Sequence, residues 1–209
     1  MKIIQPSVEI EEFDGKEMLR KIERAGRTCY KSEAKITDES AEKFIKTIIK
    51  NGHGSVLEHE KITVRIICDR GVSHELVRHR VASYSQESTR YVNYKEGIEV
   101  IEPCFWNEKD YNYLLWKDAM IECDAAYCAM IGQGATPQEA RSVLPNSLKT
   151  EIVCTMNLRA WRNFFELRCV AAAHPQMRQI ALMLLSKMSK KLPIVFDDIV
   201  KELFDGTED

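Results

Sequence analysis

The chain has 209 residues, of which 44% are hydrophobic and 30% are charged, and its formal net charge is −2. These proportions are typical of a globular protein and do not indicate disorder. The near-neutral charge argues against non-specific nucleic-acid binding, which needs a broad cationic face. No apolar run reaches the roughly 18 residues that a membrane span requires. We therefore expect a cytoplasmic protein with one domain over residues 1–209.

The cysteine and histidine pattern does not favour a metal centre. Seven cysteines are scattered along the chain without a CxxC pair, a pattern that argues against a disulfide framework and against structural zinc. His53 and His59 flank an acid, but no third group of ligands follows them, whereas catalytic zinc sites usually show three protein ligands. We expect no bound metal, and buried thiols that act as small apolar residues.

Apolar spacing predicts the secondary structure of the first half of the chain. Asp14-Gly15 ends the first strand, and Asn51-Gly52 stops the second helix. The predicted elements are a strand within residues 2–12, a helix over 16–26, a helix opening at 37–40, a strand over 62–68 and a short helix over 71–77.

The second half is predicted to contain longer helices. A strand over 98–101 precedes a helix over 107–132, whose core face is predicted to hold Leu114, Leu115, Ala119, Ile121, Ala125, Ala126 and Met130. Thr136-Pro137 is a helix start, residues 149–156 alternate as a strand, and Asn157 is expected to cap the next helix. A last helix runs from Pro175 to Leu192, and the acidic tail 205–209 is expected to fray.

Residues 78–91, RHRVASYSQESTRY, concentrate polar chemistry in what we interpret as a loop. Guanidinium groups match phosphate with a planar fork of donors, so Arg78, Arg80 and Arg90 are candidate anion holders. The hydroxyl and amide groups between them suit a sugar or a base edge, which favours a nucleotide over bare phosphate. The alternative is that the cations only complement the dipole at the end of the short helix before them.

An arginine also occupies the core stripe of the helix after Asn157. Leu158, Trp161, Phe165, Arg168 and Ala172 follow one another at helical spacing. Because arginine is almost never fully buried without a partner, Arg168 is expected to meet a carboxylate, a ligand or a cavity. The alternative is that its side chain extends past the aromatic rings to solvent.

These features together resemble the flavin-dependent thymidylate synthases. Residues 78–91 are similar to the family's RHRxxSxNxxSxRY motif, with Ser85 in place of the common Asn. Similar elements recur at 53–59, at 140–145 and at 157–168. Glu75 is a second departure, since family members often have Gln there, and an acid at this position could hold Arg78 or His79 instead of touching the substrate.

The resemblance implies an α+β fold, with a mixed sheet packed against long helices, and a homotetramer with active sites shared between subunits. It also implies reductive methylation of dUMP to dTMP. In that reaction 5,10-methylenetetrahydrofolate donates the carbon and becomes tetrahydrofolate, and NADPH reduces the cofactor FAD. Arg168 corresponds to the arginine to which the family's activation of the uracil ring is assigned.

The resemblance also implies the residues of each subsite. The implied dUMP-binding residues are Glu75, Arg78, Gln86, Glu87, Ser88, Thr89, Arg90, Arg141 and Arg168. The implied FAD-binding residues are His53, Ser55, Glu58, Arg78, His79, Arg80, Gln86, Asn157, Arg159 and Asn163.

Three other interpretations of the sequence stay open. A cysteine or serine such as Cys104 or Ser88 could add covalently to uracil C6 and activate C5 in that way. The arginine-rich segment could instead serve a nucleotide- or RNA-binding regulator, although only Tyr84 and Tyr91 offer stacking surfaces there. Finally, the arginines could form only structural ion pairs.

Overall fold

A computed structural model describes residues 1–205, so the tail expected to fray lies, apart from Asp205, outside the described part. Its strands are β1 (Lys2–Ile4), β2 (Ser7–Ile10), β3 (Lys61–Asp69), β4 (Ala82–Gln86), β5 (Glu99–Ile101) and β6 (Lys149–Asn157). Four of them form an antiparallel sheet in the order β2-β3-β6-β4, and β1 pairs in parallel with β5.

The helices are α1 (Gly15–Thr28), α2 (Ser40–Lys50), α3 (Arg70–Leu76), α4 (Tyr111–Gly132), α5 (Pro137–Ala140), α6 (Leu158–Arg168), α7 (Pro175–Lys191) and α8 (Pro193–Asp205). Short 3₁₀ helices cover Glu33–Lys35, Gly54–His59 and Arg141–Val143. Side chains cap the N-termini of several α-helices. Asn157 Oδ1 accepts from Ala160 N at 2.8 Å at the start of α6, as predicted, and Asp69 Oδ1 accepts from Val72 N at 2.7 Å at the start of α3.

The central strands bury one face, as the alternation of their sequences predicts. Val64 pairs with Cys154 and Ile66 pairs with Ile152, and all four side chains are buried. On the other face the hydroxyls of Thr63 and Thr155 lie 2.8 Å apart across the strands. An antiparallel sheet with one covered face fits this pattern, and the helices supply the cover.

Helix α6 is fixed to the sheet by aromatic side chains. Trp161, Phe164 and Phe165 are fully buried, and the Trp161 indole donates to the Ile62 carbonyl at 3.0 Å. Burial of each such side chain contributes roughly 1.5–3 kcal/mol. The helix ends at Arg168, so the prediction that Ala172 continues its apolar stripe was wrong. The aromatic packing places Arg168 at the end of a rigid element.

Two sequence-based assignments in the fold were wrong, and one helix was missed. Residues 2–12 form two strands, because Pro6 lacks the N–H that a continuing ladder needs and the chain changes sheets there. Residues 78–91 contain β4, a polar strand at the edge of the sheet that shows no apolar alternation. Pro193 ends α7 as predicted, but it also begins α8, which was not predicted.

The predicted core face of α4 was also wrong. Leu114, Leu115 and Ile121 are 47%, 49% and 45% exposed, and Ala119, Ala125 and Ala126 are exposed as well. The buried residues are instead Tyr113, Met120 and Tyr127, a narrow stripe with one residue every two turns. Since α4 is apolar on several faces, periodicity did not identify the face that packs on its own chain.

Helices on an antiparallel sheet confirm the predicted α+β class, with parallel and antiparallel pairs in separate sheets. Among residues 1–205, every helix is too short or too polar to cross a bilayer. The same residues contain no cluster of three or more His, Cys, Asp or Glu side chains arranged to hold a metal ion.

Candidate active site

Arg168 lies against the end of helix α3. Its Nη1 donates to Glu75 Oε2 at 2.8 Å, and its Nε donates to His79 Nε2 at 3.1 Å. The Arg168 side chain is 22% exposed and that of Glu75 is 34% exposed. The expectation that this arginine meets a carboxylate is confirmed. Glu75 holds neither Arg78 nor His79, because its carboxylate faces α6.

His79 is held in its neutral form by this arrangement. Its Nε2 accepts from Arg168, so the geometry assigns the ring proton to Nδ1. The ring also packs edge-on against Phe164, with 5.0 Å between centroids. Burial, and secondarily the Arg168 charge, lower the pKa of His79 below its ordinary value. At neutral pH the imidazole is therefore an acceptor and not a second cation.

The peptide segment that presents these two acceptors is itself fixed. The Tyr84 hydroxyl, on β4, lies 2.8 Å from the Leu76 carbonyl and 2.8 Å from the His79 carbonyl. Burial raises the pKa of Tyr84, so the hydroxyl keeps the proton that it donates. The turn after α3 is thus anchored to the sheet.

A cavity of about 320 Å³ adjoins His79. It is lined by Glu58, His79, Arg80, Val81, Asn157, Arg159, Ala160 and Asn163. Within it Arg159 Nη1 donates to Glu58 Oε1 at 2.6 Å, and both side chains are substantially exposed. Because His79 both lines the cavity and accepts from Arg168, the guanidinium lies beside the cavity.

The cavity brings together most of the residues assigned to FAD by resemblance. Glu58, His79, Arg80, Asn157, Arg159 and Asn163 line it, whereas His53, Ser55, Arg78 and Gln86 do not. The turn at 53–55 is still close, since a Cβ on Gly54 would lie 3.3 Å from Arg159 Nε. Glycine at this position lets the arginine pack against the turn. Two guanidiniums, two amides and an imidazole suit a flavin dinucleotide with a diphosphate.

The side chains of Gln86 and Glu87 have partners within the chain. Gln86 Nε2 donates to Ser73 Oγ at 2.9 Å and to Thr150 Oγ1 at 3.2 Å. Glu87 accepts from Lys149 Nζ at 3.0 Å and from the Tyr94 hydroxyl at 2.8 Å. These contacts fix the chain just before Ser88 and Thr89, and the contacts to nucleotide expected of all four residues stay predictions.

The arginines assigned to the nucleotide phosphate lie at the surface. Arg90 Nε donates to Gln138 Oε1 at 3.1 Å, which brings Arg90 to helix α5, directly before Arg141. The side chains of Arg78 and Arg141 are exposed and make no hydrogen bond or ion pair to residues 1–205. Their donors are therefore exposed and available to an anion.

The covalent alternative receives no support from the cysteine. Cys104 is exposed, but partial desolvation raises the pKa of its thiol above the ordinary value. A nucleophilic cysteine usually has a lowered pKa, because the thiolate is the reacting form.

Several residues around the site were not found from the sequence. Gln138, Tyr94 and Lys149 contact the 86–90 segment, and each looks like an ordinary surface residue in its own stretch of chain. The pairing of Glu75 with Arg168 joins residues 93 positions apart. The only signal for that pair was an arginine on an apolar helical stripe.

Solved structures establish the class of fold. The UMP/dUMP methylase PolB from Streptomyces cacaoi, bound with 5-Br dUMP, superposes with a TM-score of 0.79 at 23% identity, over 94% of this chain and 96% of that chain. Its structure with 5-Br UMP also gives a TM-score of 0.79, at 19% identity, over 97% of this chain and 96% of that chain. The chain has the fold of these proteins.

Sequence comparisons establish the family. The family model described as thymidylate synthase complementing protein matches residues 13–194. The flavin-dependent thymidylate synthase of Geobacter sulfurreducens is 37% identical over 182 residues, covering 83% of this chain and 78% of that protein. The protein of the same name from Mycobacterium tuberculosis is 36% identical over 205 residues, covering 90% and 82%.

The chain therefore belongs to the thymidylate synthase complementing protein family, and the resemblance identified from its motifs is confirmed. The prediction that it is an enzyme is confirmed by the same relatives.

Proposed function

We propose that this protein catalyses the reductive methylation of dUMP to dTMP. The methyl carbon comes from 5,10-methylenetetrahydrofolate, tetrahydrofolate is released, and FAD reduced by NADPH carries the hydride. The observation that carries the proposal is the arginine at the end of α6, held by Glu75 and His79 beside the cavity of basic and amide side chains. Relatives more than 30% identical that are named flavin-dependent thymidylate synthases support it.

Arg168 supplies the activation of the pyrimidine. Uracil C5 is a weak nucleophile, and it gains electron density when negative charge develops on N3 and O4. A guanidinium that is only 22% exposed stabilises such charge more strongly than a fully hydrated one would. Among residues 1–205 its Nη2 has no hydrogen-bond partner, so one edge is available to a carbonyl of the base.

The cavity residues would hold FAD. Arg80 and Arg159 match a diphosphate, while Asn157 and Asn163 offer amide groups to the ring system or ribose. His53, Ser55, Glu58, Arg78, His79 and Gln86 complete the set assigned by resemblance. When bound, the flavin supplies hydride chemistry, which amino-acid side chains cannot perform.

The surface arginines would hold the nucleotide phosphate. Arg78, Arg90 and Arg141 have exposed guanidinium groups, and the hydroxyls of Ser88 and Thr89 lie between the first two in sequence. The intramolecular bonds of Gln86 and Glu87 would fix the backbone that carries those hydroxyls. Because none of these three guanidiniums forms an ion pair with residues 1–205, phosphate binding would not have to break one.

We also propose a homotetramer in which neighbouring subunits complete each active site. Exposed Leu114, Leu115 and Ile121 give α4 an apolar surface that a second copy would cover. The exposed phosphate-binding arginines would then act against a flavin site on the neighbouring chain.

A coupled assay tests the proposed reaction. The purified protein is supplied with dUMP, methylenetetrahydrofolate and NADPH, with and without added FAD, and dTMP is quantified. We expect FAD-dependent dTMP formation and a flavin absorption spectrum on the protein. A regulator that binds RNA would show neither a flavin spectrum nor dTMP, and a purely structural protein would bind neither FAD nor dUMP.

A further inference from the structure

Glu75 has a contact that its place in the resemblance does not explain. The resemblance assigns position 75 to dUMP binding, and family members often carry Gln there. In this chain the Glu75 carboxylate instead contacts Arg168 Nη1 at 2.8 Å. A carboxylate beside an arginine proposed to stabilise negative charge must offset part of the field of that arginine. Its presence therefore needs a separate reason.

The geometry of the guanidinium supplies that reason. Two of its three nitrogens are engaged, Nη1 by Glu75 and Nε by His79. One acceptor lies near the end of α3 and the other in the turn that follows it, and Tyr84 ties this segment to the sheet through the carbonyls of Leu76 and His79. With two fixed acceptors on two edges, the plane of the guanidinium is set before any substrate binds.

The alternative position for the side chain is outward. Arg168 is the last residue of α6, and the neighbouring Leu167 and Val170 are 55% and 39% exposed. A long arginine at such a border can extend to water, and its rotamer freedom favours doing so. The bond from Nε to a neutral imidazole holds the planar guanidinium at one point, and the stronger bond from Nη1 to a carboxylate holds it at a second point.

We propose that Glu75 is a positioning residue, which acts through Arg168 by fixing its guanidinium so that Nη2 faces the pyrimidine. This inference rests on the proposed function, in which Arg168 activates the uracil ring. It differs from the implied role of Glu75 as a dUMP ligand, because a positioning residue affects turnover more than nucleotide binding. In this role the side chain at position 75 must supply an oxygen that accepts from Arg168 Nη1, and its negative charge is not required.

Two substitutions at position 75 separate these roles. Glu75→Ala removes the acceptor, and Glu75→Gln keeps an oxygen acceptor without the charge. Asp198→Ala is the matched control. Asp198 lies outside the proposed site and pairs at 2.6 Å with Arg162, which is on the same helix as Arg168. Each FAD-loaded enzyme is assayed for dTMP formation at saturating dUMP, and its dUMP Kd is measured from the change in flavin absorbance.

We expect Glu75→Ala to lower kcat at least about tenfold with a dUMP Kd within roughly threefold of wild type, as for a misoriented catalytic group. Glu75→Gln should recover most of the lost kcat, and Asp198→Ala should keep wild-type kcat while lowering the thermal midpoint. The rescue by Gln is a readout that a loss of folding stability alone would not produce.

Other outcomes would overturn the inference. If Glu75→Ala weakens dUMP binding while kcat is kept, Glu75 contacts the substrate directly. If Glu75→Gln is as impaired as Glu75→Ala, an acceptor oxygen is not what the site needs. Unchanged kcat in Glu75→Ala removes any positioning role. A wild-type protein that forms no dTMP in the complete assay contradicts the proposed function itself, and with it this inference.

Discussion

The arginines of the candidate site fall into two groups that differ in how the chain holds them. Arg168 is partly buried and is bonded on two edges by Glu75 and His79. Arg78 and Arg141 are exposed without internal partners among residues 1–205, and Arg90 has one bond, to Gln138. A group that stabilises developing charge profits from a fixed orientation, whereas a phosphate can gather freely rotating donors from several directions.

This comparison predicts its largest effect at Arg168. Replacing Arg168 by Ala should reduce kcat for dTMP formation by about 10²–10³-fold, as for the loss of one preorganised charge-stabilising donor. Steady-state kinetics with saturating dUMP and folate measure the effect. Cys104→Ala is the control for the covalent alternative and should keep turnover. The opposite ranking of the two variants would overturn the assignment of Arg168.

The second prediction concerns the exposed apolar face of α4. Leu115→Glu places a charge on the exposed apolar face of α4, and an unpaired charge buried in an interface costs about 3–5 kcal/mol. We expect light scattering to show dissociation of the proposed tetramer and the assay to show a parallel loss of dTMP formation. Ile36→Glu, another exposed apolar position, is the control. A Leu115→Glu protein that remains tetrameric and active would argue against interfaces built on α4.

The third prediction distinguishes phosphate holding from ring activation. Arg141→Ala should raise the dUMP Kd roughly 10–100-fold, the range expected for a lost charge-assisted hydrogen bond, with a smaller change in kcat. The effect should shrink for the nucleoside deoxyuridine, which has no phosphate. Arg24→Ala is the control, because Arg24 is an exposed arginine on α1 paired with Glu17. Equal losses with dUMP and deoxyuridine would show that Arg141 does not bind the phosphate.

The fourth and smallest effect is a pH dependence at His79. Its pKa is lowered in the folded chain, so the unfolded chain takes up the proton first as pH falls below about 6.5. Stability from the neutral ring is therefore present at higher pH and lost as the pH falls toward the lowered pKa. His79→Gln keeps an acceptor for Arg168 and should lack this component.

Thermal midpoints between pH 8 and pH 5 measure that effect. The thermal midpoint of the wild type should fall further than that of His79→Gln over this range, because only the wild type has at this position a group whose pKa is lowered on folding. His74→Gln, at an exposed histidine on α3, should behave as the wild type. Identical pH profiles for the wild type and His79→Gln would contradict the neutral state of the ring.

Strand β6 and helix α6 show how much of the structure could be predicted from the sequence. The alternation of β6 and the aromatic stripe of α6 are local patterns, and both led to correct elements and to the correct cap at Asn157. The stripe also showed that Arg168 needs a partner. It did not show that the partner is Glu75, because that pairing depends on how α3 and α6 meet across 93 residues.

Other errors came from polar strands and from helices with more than one apolar face. The strand β4 has the sequence ASYSQ, in which pairing with β6 and not apolar alternation determines the structure. In α4 the local pattern marked Leu115 and Ile121 as core, although in the chain itself Tyr113 and Tyr127 take that place. An apolar helix face that stays exposed in the chain has the same periodicity as one that is buried in the core.

A crystal structure of the protein with FAD and dUMP is the most direct test of the claim that one fixed arginine and several exposed arginines converge on one nucleotide. The account predicts Arg168 Nη2 within hydrogen-bond distance of a uracil carbonyl, with the bond from Nη1 to Glu75 retained. It also predicts Arg78, Arg90 or Arg141, from the same chain or a neighbour, on the phosphate. A nucleotide bound with its base away from Arg168, or with these arginines on unconnected surfaces, would contradict it.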